Sequence, residues 1–299
     1  ILNTKDAASQ VYEQCKKFQC EKAFLTTDLC PEHRLSVLDR LRENLKPKNR
    51  KLTLCISTQL IEAGVDVSFD CVIRSQAGMD SIIQAAGRCN RNRENATPQS
   101  VFVVDVQDEK LTYLPEIQDG KAITARVFRE NQNSNLLSEN VIAQFYDYYF
   151  YAQKNKMDYS VLNERTTIYS LLNDNPLGTA TYQSINNKIY TGLPCAFQTA
   201  AEAFSVIEGA QIGVVVPYGE ALKLIDKFEK YSNPKDKVRI LKQLQKYTVS
   251  VYADVLKKLE YAERAVEKID ETFYLLSPNY YDAEEYGLRR KALFSLLNV

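Results

Sequence analysis

Short apolar runs alternate with helical patterns through the first hundred residues. Lys22 to Thr27, Leu52 to Ser57, Phe69 to Arg74 and Val101 to Val106 have the β-branched, apolar character of buried strands. Between them, residues 5–18, 31–45 and 79–88 repeat apolar positions at helical spacing. Pro31 suits a first helical turn, and Leu35, Leu38, Leu41 and Leu45 mark one face for burial. This alternation predicts an α/β domain with a parallel sheet covered on both faces, spanning residues 1–115. A polar stretch at 107–120 and an Asn-rich one at 131–135 then lead into an aromatic helix carrying Phe145, Tyr146, Tyr149 and Phe150. That region, 116–160, reads as a linker with a long helix. Residues 161–299 read as an α+β accessory domain, with strands at Ile212 to Pro217 and Tyr247 to Tyr252 and a solvated Lys/Glu-rich helix over 254–271.

Composition narrows the setting. The length of 299 residues is enough for about two domains. Lys plus Arg and Asp plus Glu each number 38, so nucleic-acid binding would have to come from a local surface and not from a global field. The seven cysteines are odd in number and form no C-x-x-C pair, which predicts free thiols in a reducing, cytoplasmic setting. Cys55 and Cys71 are expected as small buried hydrophobes. No apolar run is long enough to span a membrane and no leader pattern is visible. The opening, Ile1-Leu2-Asn3-Thr4, reads as a strand end entering a helix without a Met before it, as in a fragment.

Candidate chemistry concentrates between Cys55 and Asn92. Ser57-Thr58-Gln59-Leu60-Ile61-Glu62-Ala63-Gly64-Val65-Asp66 begins at the end of an apolar strand, where open α/β sheets place ligand loops. Its hydroxyls suit phosphates, Gly64 permits close backbone approach, and Asp66 suits a ribose hydroxyl. Taken alone, such a loop is as often an ordinary strand-to-helix turn. Further on, Gln84-Ala85-Ala86-Gly87-Arg88-Cys89-Asn90-Arg91 puts two guanidiniums on one side of a helix end, within reach of one phosphate. An isolated R-x-x-R is usually a solvated pair of charges. Tyr146 to Tyr151 and Tyr280 to Tyr286 suit aromatic packing better than stacking on bases. His33, the single histidine, reads as a surface or capping residue of a helix start, and one histidine cannot supply a histidine-rich metal ligand set.

In this order and spacing, the two segments resemble motifs V and VI of superfamily two helicases. ILNTK at 1–5, LTTDLCPEHR at 25–34, STQLIEAGVDVSFD at 57–70 and QAAGRCNRN at 84–92 are similar to one branch of it, the CRISPR-associated helicase-nuclease of type I interference systems. FQTAAEAFSVIEGAQIGVVVPYGE at 197–220 and YYDAEEYGL at 280–288 resemble that family's C-terminal domain. The resemblance implies a second RecA-like domain (P-loop NTPase-type) followed by a helical linker and an α+β domain. It implies Arg88 and Arg91 as arginine fingers, and Gln84 and Asp66 toward the nucleotide, with Glu62 and Gly64 in the same motif. It also implies Asn3, Thr4, Ser57 and Thr58 toward the backbone of single-stranded DNA. Ala85 departs from the arginine that many superfamily two helicases carry in motif VI.

No G-x-x-x-x-G-K-[ST] and no D-E-x-H or D-E-A-D box occurs. ATP would therefore be shared with another RecA-like half, which would hold Mg2+; the partners implied are that half, the N-terminal nuclease and a guide-RNA surveillance complex. Alone, the chain is expected to show neither ATPase nor nuclease activity. A superfamily two helicase half with another cellular role, and a non-catalytic module binding DNA or a protein partner, are the competing readings.

Overall fold

The computed structural model describes residues 1–161, 165–204 and 211–290. Thr4 N-caps helix α1 (Lys5–Cys15), its hydroxyl accepting from the Ala7 N–H at 3.2 Å. There follow β1 (Glu21–Leu25), α2 (Pro31–Leu45), β2 (Thr53–Ser57), β3 (Val72–Ser75), α3 (Met79–Ala86), β4 (Val101–Val104) and α4 (Pro115–Glu130). β1 and β2 pair in parallel with Leu25 opposite Ser57, and β3 and β4 pair in parallel with Ser75 opposite Val104. Residues 1 and 2 lie between the two pairs. The Leu2 N–H donates to the Ser57 carbonyl (2.9 Å), the Ile1 nitrogen to the Ile73 carbonyl (2.7 Å), and the Ser75 N–H to the Ile1 carbonyl (2.8 Å). Ile1 is thus bonded to the residues on either side of Arg74, as in a parallel ladder.

Two features of this layer differ from the expectation. Leu35 is exposed, because α2 buries the stripe His33, Val37, Leu41 and Asn44, one residue round the helix from the leucine spacing. One face of the β3–β4 pair is bare. Ile73, Phe102 and Val104, neighbours by register, are 56%, 53% and 38% exposed, so cover on both faces does not hold there. Cys71 is exposed as well, since β3 starts one residue after it, while all seven cysteines are free thiols.

The chain divides into two compact units, Ile1–Glu130 with Ala210–Val299, and Asn131–Gly209. These do not follow the expected boundaries at 115 and 160. The second unit holds α5 (Glu139–Gln153), α6 (Ile168–Leu172), α7 (Pro176–Asn186) and α8 (Phe197–Ala203). Along α5, Phe145 stacks on Tyr149 and Tyr146 on Phe150, each pair at 5.7 Å, so these rings pack on their own helix neighbours.

The remainder of the first unit is α+β. It comprises β5 (Gln211–Val215), α9 (Ala221–Lys230), α10 (Pro234–Leu244), β6 (Thr248–Tyr252), α11 (Ala253–Lys257), β7 (Val266–Ile269), β8 (Phe273–Leu276), β9 (Tyr281–Asp282) and β10 (Gly287–Leu288). Four strands form one sheet in the order β6-β5-β8-β7, parallel only between β5 and β8. The 254–271 segment is not one solvated helix: Leu256, Leu259 and Ala265 join the core, and the chain has become β7 by Val266. Of the segment 197–220, residues 205–210 lie outside the described residues. Among the described residues, no helix is long and apolar enough to cross a membrane.

Segment 280–288 joins this sheet to the first layer. The Leu288 N–H donates to the Asp28 carbonyl at 2.8 Å, Tyr286 packs among Tyr12 and Phe24, and Lys16 pairs with Glu285 at 2.8 Å. The Tyr281 hydroxyl accepts from the Cys30 N–H at 3.2 Å and lies 3.0 Å from His33 Nδ1, while Tyr218 stacks on the imidazole at 4.4 Å. His33 is therefore a buried joint between the two layers and not a surface cap. Gly287 has φ +72, and a Cβ there would overlap the Asp28 carbonyl.

Two outcomes follow. Gly287→Ala should cost roughly 3 kcal/mol in urea unfolding, the left-handed strain and the overlap adding. Burial pushes the His33 imidazole down from 6.5 to about 4, Asp282 opposing and Arg40 assisting. The unfolded chain therefore binds the extra proton between those values, and stability should fall as pH drops through that window. The wild type should lose on the order of 2 kcal/mol relative to His33→Gln between pH 6.5 and the low fours; parallel pH profiles of the two proteins would contradict the assignment.

Candidate functional site

The strand-end loop is built on β2. The Ser57 hydroxyl is fully buried, 2.8 Å from the Leu25 carbonyl and 2.9 Å from that of Thr58. The Thr58 N–H donates to Leu25 O at 3.3 Å, and its carbonyl accepts from Ile61 at 3.4 Å, closing a 3-10 turn over Gln59–Ile61. Gly64 then turns the chain with φ +70 in open space. Beyond it Val65 and Val67 enter the core and Asp66 stays in solvent.

Arg88 and Arg91 meet this loop from opposite surroundings. α3 ends at Ala86, so both residues lie in the turn after the helix and not on it. That turn is pinned by the Phe69 N–H to Arg88 O (2.9 Å) and the Asn90 N–H to Phe69 O (2.8 Å), with Asn90 at φ +48. Arg88 points inward: its Nε donates to the Ile61 carbonyl at 2.9 Å and Nη2 to the Glu62 carbonyl at 2.5 Å. Its Nη1 is buried without a partner among the described residues. Burial, then the neighbouring Arg91 charge, lowers its proton affinity, while Asp66 and Glu62 oppose. Arg91 points outward, its Nε 3.1 Å from Asp66 Oδ1, with side chains 42% and 79% exposed. A pair so exposed is worth about 1 kcal/mol or less and is readily exchanged for another anion.

Glu62 has two attachments. Its carbonyl holds Arg88, and its carboxylate lies 2.7 Å from Arg74 Nε, both side chains being almost wholly buried. Burial pushes the Glu62 carboxyl up, and the Arg74 guanidinium opposes that. Arg74 Nη1 donates to Asn3 Oδ1 (2.7 Å) and to the Ser75 carbonyl (2.8 Å). Asn3 Nδ2 in turn donates to Glu109 Oε2 (2.8 Å) and the Gln76 carbonyl (3.0 Å), and the Asn3 N–H donates to Glu109 Oε1 (2.7 Å).

The structure thus gathers Glu62, Gly64, Asp66, Arg88 and Arg91 at one loop, with Gln84 exposed on the last turn of α3. Asn3 and Ser57 are engaged inside the fold, Thr4 caps α1, and Thr58 is nearly buried at the head of the loop. Sequence reasoning passed over Arg74 and Glu109. The available signal was a charged residue inside an apolar strand, which requires a buried counter-charge. Ala85 is fully buried, so its side of α3 faces the core. Among the described residues, no group of three or more His, Cys, Asp or Glu side chains is placed to hold a metal ion.

Residues 1–94 match the family model described as CRISPR-associated nuclease/helicase Cas3, C-terminal. Over 97 residues the chain is 37% identical to the CRISPR-associated nuclease/helicase Cas3 of Methanothermobacter thermautotrophicus, covering 31% of this chain and 11% of that protein. The first 94 residues are thus similar to the C-terminal part of Cas3 helicase-nucleases. A 39-residue stretch is 67% identical to Cas3 of Haloferax volcanii, covering 13% of this chain and 4% of that protein. The fold resembles T. fusca Cas3-AMPPNP, with TM-score 0.55 and 14% identity over 97% of this chain and 34% of that one. It also resembles a chain of a CRISPR RNA-guided surveillance complex, pre-nicking, with TM-score 0.53 and 13% identity over 92% and 36%. The chain therefore corresponds to about a third of the solved chains it resembles, and its matches span small fractions of the curated relatives.

Because Glu62 is the buried counter-charge of Arg74, Glu62→Ala should cost about 3–5 kcal/mol in urea unfolding, with the guanidinium left uncompensated. Asp66→Ala, which removes only a surface pair, should cost about 1 kcal/mol or less. Equal costs for the two variants would show that the buried pair carries no special weight.

Proposed function

We propose that this chain supplies the second RecA-like half and the C-terminal domain of a Cas3-type helicase-nuclease, a cytoplasmic ATP-driven DNA translocase in type I CRISPR interference. The observation that carries this reading is the seating of Arg88 and Arg91 on the loop that follows β2. Loops at the carboxyl ends of parallel strands are where open α/β sheets bind ligands.

ATP is the anion this arrangement suits. Arg88 Nη1 is an unpartnered buried donor, and Arg91 holds Asp66 only through an exposed pair. Arg91 is the residue to meet charge developing on the transferred phosphoryl group, with Arg88 bracing the loop and offering its free nitrogen. Asp66 and Gln84 are the exposed side chains left to contact the nucleotide, and Gly64 and Glu62 set the loop between them. The Mg2+ ligands and the phosphate-binding loop belong to the first RecA-like half, and DNA cleavage to the nuclease domain; both are partners of this chain.

For single-stranded DNA, Thr4 is the partly exposed side chain of this set that can meet a backbone phosphate, and Thr58, buried at the head of the loop, would contribute through a local opening of that turn. Asn3 and Ser57 act by fixing the segments that carry them. The solved surveillance complex among the structural relatives supports a guide-RNA complex as the partner that delivers DNA.

In the whole Cas3-type protein carrying this segment, Arg91→Ala should lower DNA-stimulated ATP turnover by roughly a thousandfold while changing nucleotide affinity only a few-fold, because Arg91 meets charge that builds up chiefly in the transition state. Arg91→Lys should recover part of it. Near-wild-type turnover by a folded Arg91→Ala protein would end the motor reading, whereas equal losses in affinity and turnover would reassign Arg91 to ground-state binding.

A further inference from the structure

The chain carries equal numbers of acidic and basic residues, yet one stretch departs sharply from balance. Residues 221–246 hold eight Lys or Arg against three Asp or Glu. They form α9, a three-residue turn and α10, both of which bury their apolar sides in the core of the four-stranded sheet through Leu224, Ile225, Phe228, Ile240 and Leu244.

The basic residues repeat on the two helices. Lys223, Lys227 and Lys230 stand at i, i+4 and i+7 on α9, and Lys235, Arg239 and Lys242 at i, i+4 and i+7 on α10. This spacing puts each trio on one stripe, roughly 5–6 Å between neighbours along the axis and opposite the buried residues. All six are exposed. Part of the charge is already met: Lys223, at the start of the α9 stripe, pairs with Glu220, and off the stripes Lys237 pairs with Asp270 and Lys246 with Glu32. Lys227, Lys230, Lys235, Arg239 and Lys242 have no ion-pair partner among the described residues. Two adjoining stripes of unmet positive charge on a neutral protein complement a polyanion with closely spaced charges.

We propose that the outer face of the α9–α10 hairpin is a second nucleic-acid surface, which holds a phosphodiester backbone without regard to sequence and is separate from the loops that carry Thr4 and Thr58. The proposal rests on the reading that the protein works on DNA. The face offers flexible ammonium groups and one guanidinium in two charged stripes, with one half-exposed ring, Tyr231, in the turn between the helices, so the repeated charges suit backbone phosphates, which carry no sequence information. Single-stranded and duplex DNA share that chemistry.

The test compares the full 299-residue chain with a variant carrying Lys227→Gln, Lys230→Gln, Lys235→Gln, Arg239→Gln and Lys242→Gln. Each binds a labelled mixed-sequence oligonucleotide, single-stranded in one arm and duplex in the other. In at least one arm affinity should drop at least about tenfold near 0.1 M salt, and the slope of log affinity against log salt should become shallower by about 3 or more, from roughly 0.7–0.9 for each phosphate no longer neutralised. The favoured arm names the form of DNA. Thermal midpoints should differ by only a few degrees, since none of the five is in an ion pair and the last-turn lysines of α9 make only weak exposed interactions with the helix end and Glu220. Replacing the four lysines by arginine should retain binding, which separates charge from fold. Unchanged affinity and slope in both arms, or no measurable binding by the wild type, overturns the proposal. Arg91→Ala should leave this binding intact, so failure here while Arg91 still governs ATP turnover would remove the surface and spare the motor reading.

Discussion

A guanidinium with no exposed surface sits in the middle of the first layer, met by one buried carboxylate and by two hydrogen bonds from a single one of its nitrogens. Arg74 lies on β3 opposite Ile1, pairs with Glu62 from the loop after β2, and donates to Asn3 from the chain's first segment. Three segments distant in sequence must therefore come together for one charge to be tolerated in an apolar sheet. The same residues lace the β1–β2 pair to the β3–β4 pair, for which strand pairing alone would supply only the backbone bonds of residues 1 and 2.

Glu62 extends that constraint to the surface. Its side chain belongs to the buried pair and its carbonyl to Arg88, so the position of the arginine turn is set by the core of the sheet. The two arginines consequently have unequal freedom. Arg88 is committed to backbone carbonyls and Arg91 to an exchangeable surface carboxylate. The inward arginine is held by two buried carbonyls, and the outward one by a surface carboxylate and, at 3.4 Å, by the Gly87 carbonyl.

Much of this was legible from residue pattern. The alternation of strands and helices in 1–106 followed from short apolar runs and helical spacing, although the third strand, expected over 69–74, forms over 72–75. The grouping of Glu62, Gly64, Asp66, Arg88 and Arg91 was legible only through motif order, since nothing local says that Arg88 bends inward. What the sequence concealed were interactions across long separations. His33 looked like a helix-start surface residue because its partners, Tyr218 and Tyr281, lie some two hundred residues away and carry no periodic signal. Glu109 was hidden in a polar stretch that reads as loop whatever it touches. The division into units was hidden for the same reason: segment 280–288 returns to the first layer, and composition along the chain records no such return.

That return has a bearing on how the protein is made. The bonds from Tyr281 to Cys30 and from Tyr12 to Glu285 close separations of 251 and 273 residues. During synthesis, α1, β1 and α2 leave the ribosome long before the strand that completes their packing, and Tyr12, Phe24 and His33 spend that interval without their final cover. Non-local closure of this kind slows folding and prolongs the exposure of apolar surface. The first layer can form its own parallel pairs early, but its finished surface has to wait for segment 280–288.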